Sequence, residues 1–244
     1  MMTAAVNNGL RASSPCRGVK LPRIGQTHPT ILTTDQVERL INELPGQHRV
    51  LVMLLAYAGL RLGEAFALRR SGIDLDRCRI VVASAVTEIN GRQVFGTPKS
   101  HQRREIAVPA FVAAELRIIL NKLPDENDPL IFTGERLGKP LRYGWWRAKV
   151  FDLAAERAGL VGVTPKDLRA THATWVADRL GVMAAAKRLG HSNASVTTRH
   201  YARAVEARED EAAKILGAMR DETLRARSGH DGDDDGSAGA AAPA

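Results

Sequence analysis

The sequence predicts an α+β fold, mainly α: a helical domain with a small antiparallel three-stranded sheet at one side. Three observations predict it. Apolar residues recur at helical spacing on both sides of residues 73–109. Within that window the period drops to two. Asn90-Gly91 sits between two alternating runs, which is the signal of a type I′ hairpin.

Thr33-x-x-Gln36 reads as a capping box, with Val37, Leu40, Ile41 and Leu44 on one helical stripe. Pro45-Gly46 closes that helix. Residues 50–58 are apolar nearly all round, which predicts a buried helix that Gly59 breaks. Arg61 follows at once, and residues 62–68 read as a short helix with Glu64 in its first turn. Strands are expected at 79–83, 86–89, 93–97 and 104–108. The turn before the last of them, 98–104, is strongly basic. Helices resume with one stripe of Val112, Leu116, Ile119, Leu120 and Leu123 and another of Trp146, Val150, Leu153 and Ala154.

Thr164-Pro165-Lys166-Asp167 then combines an N-cap, a proline at the first helical position and a capping-box carboxylate. The helix it opens is expected to reach residue 180, with Leu168, Trp175 and Val176 toward the core. A further helix over 182–189 stops at Gly190, a natural C-terminal cap. A last amphipathic helix is read over 205–219. Trp145, Trp146 and Trp175 read as core, and His172, on the Leu168 side of its helix, as structural.

Three regions follow from these patterns. Residues 1–29 have no sustained period and read as a basic linker. Residues 30–220 form the folded body. Residues 221–244, rich in Gly, Ala and Asp, read as a disordered tail.

The chain of 244 residues has a net charge of +8, and the segment 228–244 holds four Asp and no Lys or Arg. The first 227 residues therefore carry +8 plus 4, or +12. So basic a body favours a polyanionic partner, nucleic acid first. Cys16 and Cys78 form no C-x-x-C pattern, so the cysteines indicate neither a disulfide framework nor a zinc site. No apolar run reaches the ~18 residues of a membrane span. No secretory signal is visible, and a reducing, cytoplasmic setting is expected.

Lys166 and Arg169 lie three apart on one helical face, an arrangement that calls for an anion between them. His191 follows Gly190, and Tyr201 lies ten residues further on. Two arginines, a lysine, a histidine and a tyrosine suit attack on a phosphodiester. Arginine forks clamp the nonbridging oxygens and stay charged. A tyrosine serves as nucleophile once it loses its proton, and a lysine or histidine protonates the leaving oxygen. Protein cations neutralising the phosphate leave no need for a metal or cofactor.

Residues 58–64 (Ala-Gly-Leu-Arg-Leu-Gly-Glu), Lys99 in a hairpin turn, Lys166-x-x-Arg169, Leu189-Gly190-His191 and Tyr201 resemble, in order and spacing, the motifs of the tyrosine recombinases of the phage-integrase type. The resemblance spans about residues 30 to 220. It implies that Arg61 and Arg169 clamp the scissile phosphate and that Tyr201 attacks to give a 3′-phosphotyrosyl intermediate and a free 5′-hydroxyl. Lys99 would be the general acid for the 5′ oxygen or would steady the adjacent base. Lys166 and His191 would donate to the phosphoryl oxygens and assist proton transfer, and Glu64 would support the arrangement. Arg103, Arg104, Lys187 and Arg188 are expected to contact DNA.

The partner implied is double-stranded DNA with a specific core site, bound by a homo-oligomer, a tetramer on DNA, associated with the nucleoid. No cofactor, metal, membrane or small-molecule substrate is implied. The family usually has His where Lys166 stands, and a Lys there is familiar in type IB topoisomerases. Such recombinases also carry an N-terminal core-binding domain, of which residues 1–29 would fit only a remnant. A type IB topoisomerase and a non-catalytic DNA-binding relic are the alternatives.

Overall fold

The computed structural model describes residues 2–19, 29–98, 103–124, 127–134, 138–190, 218 and 220. Lys99, His191 and Tyr201 lie outside the described residues, as do nearly all of the helix expected over 205–219 and the tail beyond it.

A short helix, α1 (Met2–Asn7), opens a segment read from the sequence as linker. The folded body starts with α2 (Thr34–Asn42), entered through the expected capping box: Thr33 Oγ1 accepts from the Gln36 amide and Gln36 Oε1 from the Thr33 amide. The stripe Val37, Leu40 and Ile41 is buried. Helix α3 (Gly46–Met53) continues into a π-helical turn, Leu54–Ala58, which ends at Gly59 with φ +67°. Residues 50–56 and 58 are all buried, as an all-round apolar pattern requires. After it come α4 (Leu62–Phe66), a 3₁₀ turn (Arg70–Gly72) and β1 (Ile73–Asp74).

Strands β2 (Arg79–Val82), β3 (Ala85–Ile89), β4 (Arg92–Gly96) and β5 (Arg104–Ala107) fall close to where alternation puts them. Asn90 and Gly91 have φ of 50° and 72°, the backbone a type I′ turn needs. The pairing divides the strands into two antiparallel sheets among the described residues. One has the order β1-β2-β5, and the other is the β3-β4 hairpin by itself. Register explains the split. Ile80 pairs with Ile106 and Val82 with Arg104, so β2 and β5 turn matching faces inward. The hairpin buries only Val86, which packs beside α4, and leaves Ile89, Val94 and Phe95 exposed.

Helices α5 (Ala110–Leu120), α6 (Tyr143–Trp146) and α7 (Asp152–Arg157) follow, with a second π-helical turn, Arg147–Phe151, between α6 and α7. Two readings of this stretch are corrected, that of Leu153 by the turn. An inserted residue advances the helix phase, so Phe151 is fully buried and Leu153 is 44% exposed. Trp146 is fully buried, whereas Trp145, also expected in the core, is 41% exposed. Helix α8 (Pro165–Leu180) starts with the expected capping box, Asp167 accepting from the Thr164 amide and hydroxyl. Asp167 and Thr171 also accept from the amides of Thr30 and Leu32, which fastens the segment before α2 across α8. Helix α9 (Val182–Leu189) ends at Gly190 with φ +65°. Most of these elements share one core, which runs from Leu32 through Phe132, Trp146 and Phe151 to Leu168.

Gly63 is where α4 meets the hairpin: a Cβ there would lie 2.4 Å from the Val86 carbonyl oxygen. Because that neighbour is backbone, Gly63→Ala should destabilise the fold by roughly 1–3 kcal/mol, read as a lower urea midpoint at unchanged slope. An unchanged midpoint would mean that α4 and β3 are not packed this tightly.

Candidate functional site

Glu64 stands in the first turn of α4 and is 2% exposed. A carboxylate so deeply buried must be paired to stay ionised. Arg61, just before the helix, gives its backbone amide to Glu64 Oε2 at 2.8 Å and its Nη1 to Oε1 at 2.8 Å. Arg104, the first residue of β5, forks onto both oxygens, Nη1 to Oε1 at 2.9 Å and Nη2 to Oε2 at 2.6 Å. Arg169 brings Nη1 to 4.0 Å from Oε2. Burial alone would raise the Glu64 pKa. The hydrogen bonds and positive charge of Arg104, with the hydrogen bonds of Arg61, outweigh it and hold the carboxyl below its usual range.

Arg169 projects from the second turn of α8. Its Nη1 donates to the Gly59 carbonyl and its Nη2 to the Leu189 carbonyl at 2.8 Å. Both acceptors sit where helical segments end in left-handed backbone, at Gly59 and just before Gly190. Helix C-termini carry unsatisfied carbonyls and partial negative charge, a natural seat for a cation. Burial first, then repulsion from Arg61, lowers the Arg169 pKa to about 9, still well above neutrality, so the guanidinium is charged at pH 7.

Among the described residues, Arg61, Arg104 and Arg169 thus surround one carboxylate, three positive charges to one negative. The excess of two lies in a partly desolvated place, with 26% of the Arg61 side chain and 14% of the Arg169 side chain exposed. An anion with several acceptor oxygens, such as a phosphodiester, would complete the charge balance. A cleft of about 220 Å³, lined in part by Glu64, Arg69 and Arg103, opens beside the cluster. The larger groove, about 640 Å³ and lined by Glu88, Gln93, Lys139, Arg142 and Trp145, shares no residue with it.

Lys166, on the first turn of α8, is exposed, as are Arg103 before β5 and Lys187 on α9. Arg104 and Arg188, expected at DNA, point their guanidinium donors inward. Arg104 is committed to Glu64, and Arg188 donates to His172 Nε2, Tyr57 O and Ala107 O. His172 is structural as read, 3% exposed, with Nδ1 2.8 Å from the Ala56 carbonyl. Burial, and then the charge of Arg188, lowers its pKa to about 4.

Both inward arginines carried a sequence signal. Arg104 shares strand parity with Ile106, and Arg188 lies three residues after Ala185 on the buried side of α9. Among the described residues no group of three or more His, Cys, Asp or Glu is placed to hold a metal, and no helix is long and apolar enough to cross a membrane.

The phage integrase family model matches residues 30–208, well over half of the chain. The chain belongs to the phage integrase family. Among similar integrase-family proteins, the tyrosine recombinase XerA of Thermococcus kodakarensis is 32% identical over 186 residues, 73% of this chain and 60% of that protein. A putative prophage phiRv2 integrase of Mycobacterium tuberculosis is 28% identical over 234 residues, 90% of this chain and 59% of that one. The chain thus spans about 60% of the length of these relatives. In fold it is similar to the Tn1549 transposon integrase solved with a circular intermediate DNA, at a TM-score of 0.68 and 19% identity, covering 84% of this chain and 74% of that one. The crystal structure of XerA recombinase aligns at a TM-score of 0.59 and 24% identity, covering 74% and 61%.

Two outcomes are expected. Glu64→Ala leaves three guanidiniums facing one another and should cost about 3–5 kcal/mol in denaturant unfolding. A loss below 1 kcal/mol would show that the cluster tolerates its own repulsion. The second concerns pH. The folded pKa of His172, about 4, lies below the unfolded value of 6.5, so the unfolded chain takes up the proton first. Stability from this group is complete above pH 6.5 and is lost as pH falls from 6.5 toward 4, by about 3 kcal/mol in all. His48, whose pKa burial also lowers, contributes in the same window, so the His172 share is the slope that disappears in His172→Asn. An unchanged slope in that variant would place His172 in a solvated site.

Proposed function

We propose that this chain is the catalytic part of a site-specific DNA recombinase that cuts and rejoins duplex DNA through a 3′-phosphotyrosine. The observation that carries the reading is the convergence of Arg61 and Arg169 on one buried carboxylate, in a cluster whose charge calls for a phosphate. The order and spacing of the motifs and the family of the chain support it.

In this reading Arg61 and Arg169 clamp the two nonbridging oxygens. Positioned donors of this kind are worth about 3–4 kcal/mol each when they meet the charge that develops in the transition state. Glu64 and Arg104 do not touch the phosphate. Glu64 aims Arg61, and Arg104 supplies the second bidentate partner that keeps the carboxylate ionised. Tyr201 attacks the phosphorus, its phenolic proton passing to His191 or to solvent, and the bond to the 5′ oxygen breaks. Lys99, Lys166 or His191 protonates that oxygen, with Lys99 the candidate general acid. The phosphotyrosyl ester retains the bond energy, so a 5′-hydroxyl from a partner duplex can reverse the step without ATP. Exposed Arg103, Lys166 and Lys187 are available to the DNA backbone. The working form is a tetramer joining two duplexes at a specific core site, in the cytoplasm where the nucleoid lies.

The test is covalent trapping on a nicked suicide duplex. The wild-type chain should give a protein–DNA adduct that survives denaturation, and Tyr201→Phe should give none. An adduct that persists in Tyr201→Phe removes that residue from the role. Relaxation of plasmid without any recombination site, at a rate equal to cleavage of the core site, would turn the reading toward a topoisomerase.

A further inference from the structure

Arg188 joins four segments. It stands on α9, donates through Nε to His172 Nε2 on α8 at 2.9 Å, and through Nη2 to the carbonyls of Tyr57, in the π-helical turn, at 3.2 Å and Ala107, at the end of β5, at 2.8 Å. His172 extends the tie to the Ala56 carbonyl. A carbonyl can only accept, so Nδ1 carries the imidazole hydrogen. Nε2 is therefore the acceptor that Arg188 needs, and the neutral tautomer is fixed from both sides.

These contacts bear on Arg169. The carbonyls that hold Arg169 belong to Gly59 and Leu189. Gly59 lies two residues after Tyr57, and Leu189 directly follows Arg188. The space between the two carbonyls is thus the space between the π-helical turn and α9, which Arg188 also spans. The fit at Gly59 is close as well: a Cβ there would come within 2.4 Å of the His172 ring. In sequence, His191 lies three residues beyond Arg188.

We propose that Arg188, through His172 and the Tyr57 and Ala107 carbonyls, is a positioning residue for the recombination chemistry. It fixes the end of α9 against the π-helical turn and so sets the direction in which Arg169 presents its guanidinium to the scissile phosphate. The inference rests on the functional reading above and adds a residue to it. Arg188 does not touch DNA.

The test measures DNA affinity, its salt dependence and the cleavage rate at saturating suicide substrate for Arg188→Met, Arg188→Lys and His172→Asn. Arg188→Met should keep wild-type affinity and salt slope while cleavage at saturation falls about 100-fold, the loss expected from misplacing a clamp by about 1 Å. Arg188→Lys, with one ammonium in place of a fork, should recover part of the rate. His172→Asn can keep the donor to Ala56 but lacks the distant acceptor, and should slow cleavage in the same direction. Wild-type cleavage at saturation in Arg188→Met overturns the proposal. So does a salt slope that drops by about one with the saturated rate intact, the signature of a phosphate contact. If Arg188→Met does not fold, by circular dichroism, the Lys variant decides: slower cleavage at wild-type affinity supports the proposal, and full-rate cleavage overturns it. Absence of any adduct with the wild-type chain counts against the functional reading itself and takes this inference with it.

Discussion

The site depends on one buried carboxylate that cannot be left alone. Glu64 is almost wholly out of water, and its charge is tolerable only because Arg104 and Arg61 occupy both of its oxygens. Removing an ion pair's water is costly, and a buried pair is a poor means of raising stability. What it supplies is position. A fork on a carboxylate has one good geometry, so the start of α4 and the start of β5 are fixed against each other, and the second turn of α8 brings Arg169 alongside them. Chain segments separated by some forty and a hundred residues are thereby brought to one point.

The second constraint is the treatment of helix ends. The π-helical turn after α3 leaves carbonyls at its C-terminal end that the helix cannot satisfy. Three side chains take them. His172 bonds Ala56, Arg188 bonds Tyr57 and Arg169 bonds Gly59. The same groups that complete the backbone accounting also hold the cations. Helix dipole, burial and hydrogen bonding therefore act together: negative helix ends offset part of the cost of half-burying guanidiniums beside one another. Burial, and then the neighbouring guanidiniums, still lower the Arg169 pKa.

Local signals in the sequence were legible because they depend on neighbours. The capping boxes at Thr33 and Thr164, the turn at Asn90-Gly91 and the cap at Gly190 each rest on two or three adjacent residues, and each occurs in the structure. Phase was less legible. A π-helical turn adds a residue without any compositional mark, so Phe151 replaced Leu153 on the core face. Sheet partition was hidden for a similar reason: alternation gives a strand its faces but not its partner, and β5 chose β2 over its neighbour β4. The arginines divide along the same line. Position in the motif order singled out Arg61 and Arg169. Net basicity made Arg104 and Arg188 look like surface charges, because charge counts carry no direction, whereas strand and helix parity do.

Preassembly explains why such an arrangement suits phosphoryl transfer. Three guanidiniums around one carboxylate are partly desolvated and oriented by the fold itself, so phosphoryl transfer at this place would need little reorganisation of solvent as charge develops on the nonbridging oxygens. The cost is met during folding, by the core that clamps α3, α8 and the sheet together. Under the proposed function, an incoming phosphodiester would relieve repulsion among the cations, and that relief would add to attraction for the ligand. A site assembled this way responds to its supports as much as to its contacts. Under the proposed function, residues that do not meet the phosphate, Glu64 and Arg104 directly and Arg188 through backbone carbonyls, would govern how well Arg61 and Arg169 meet it.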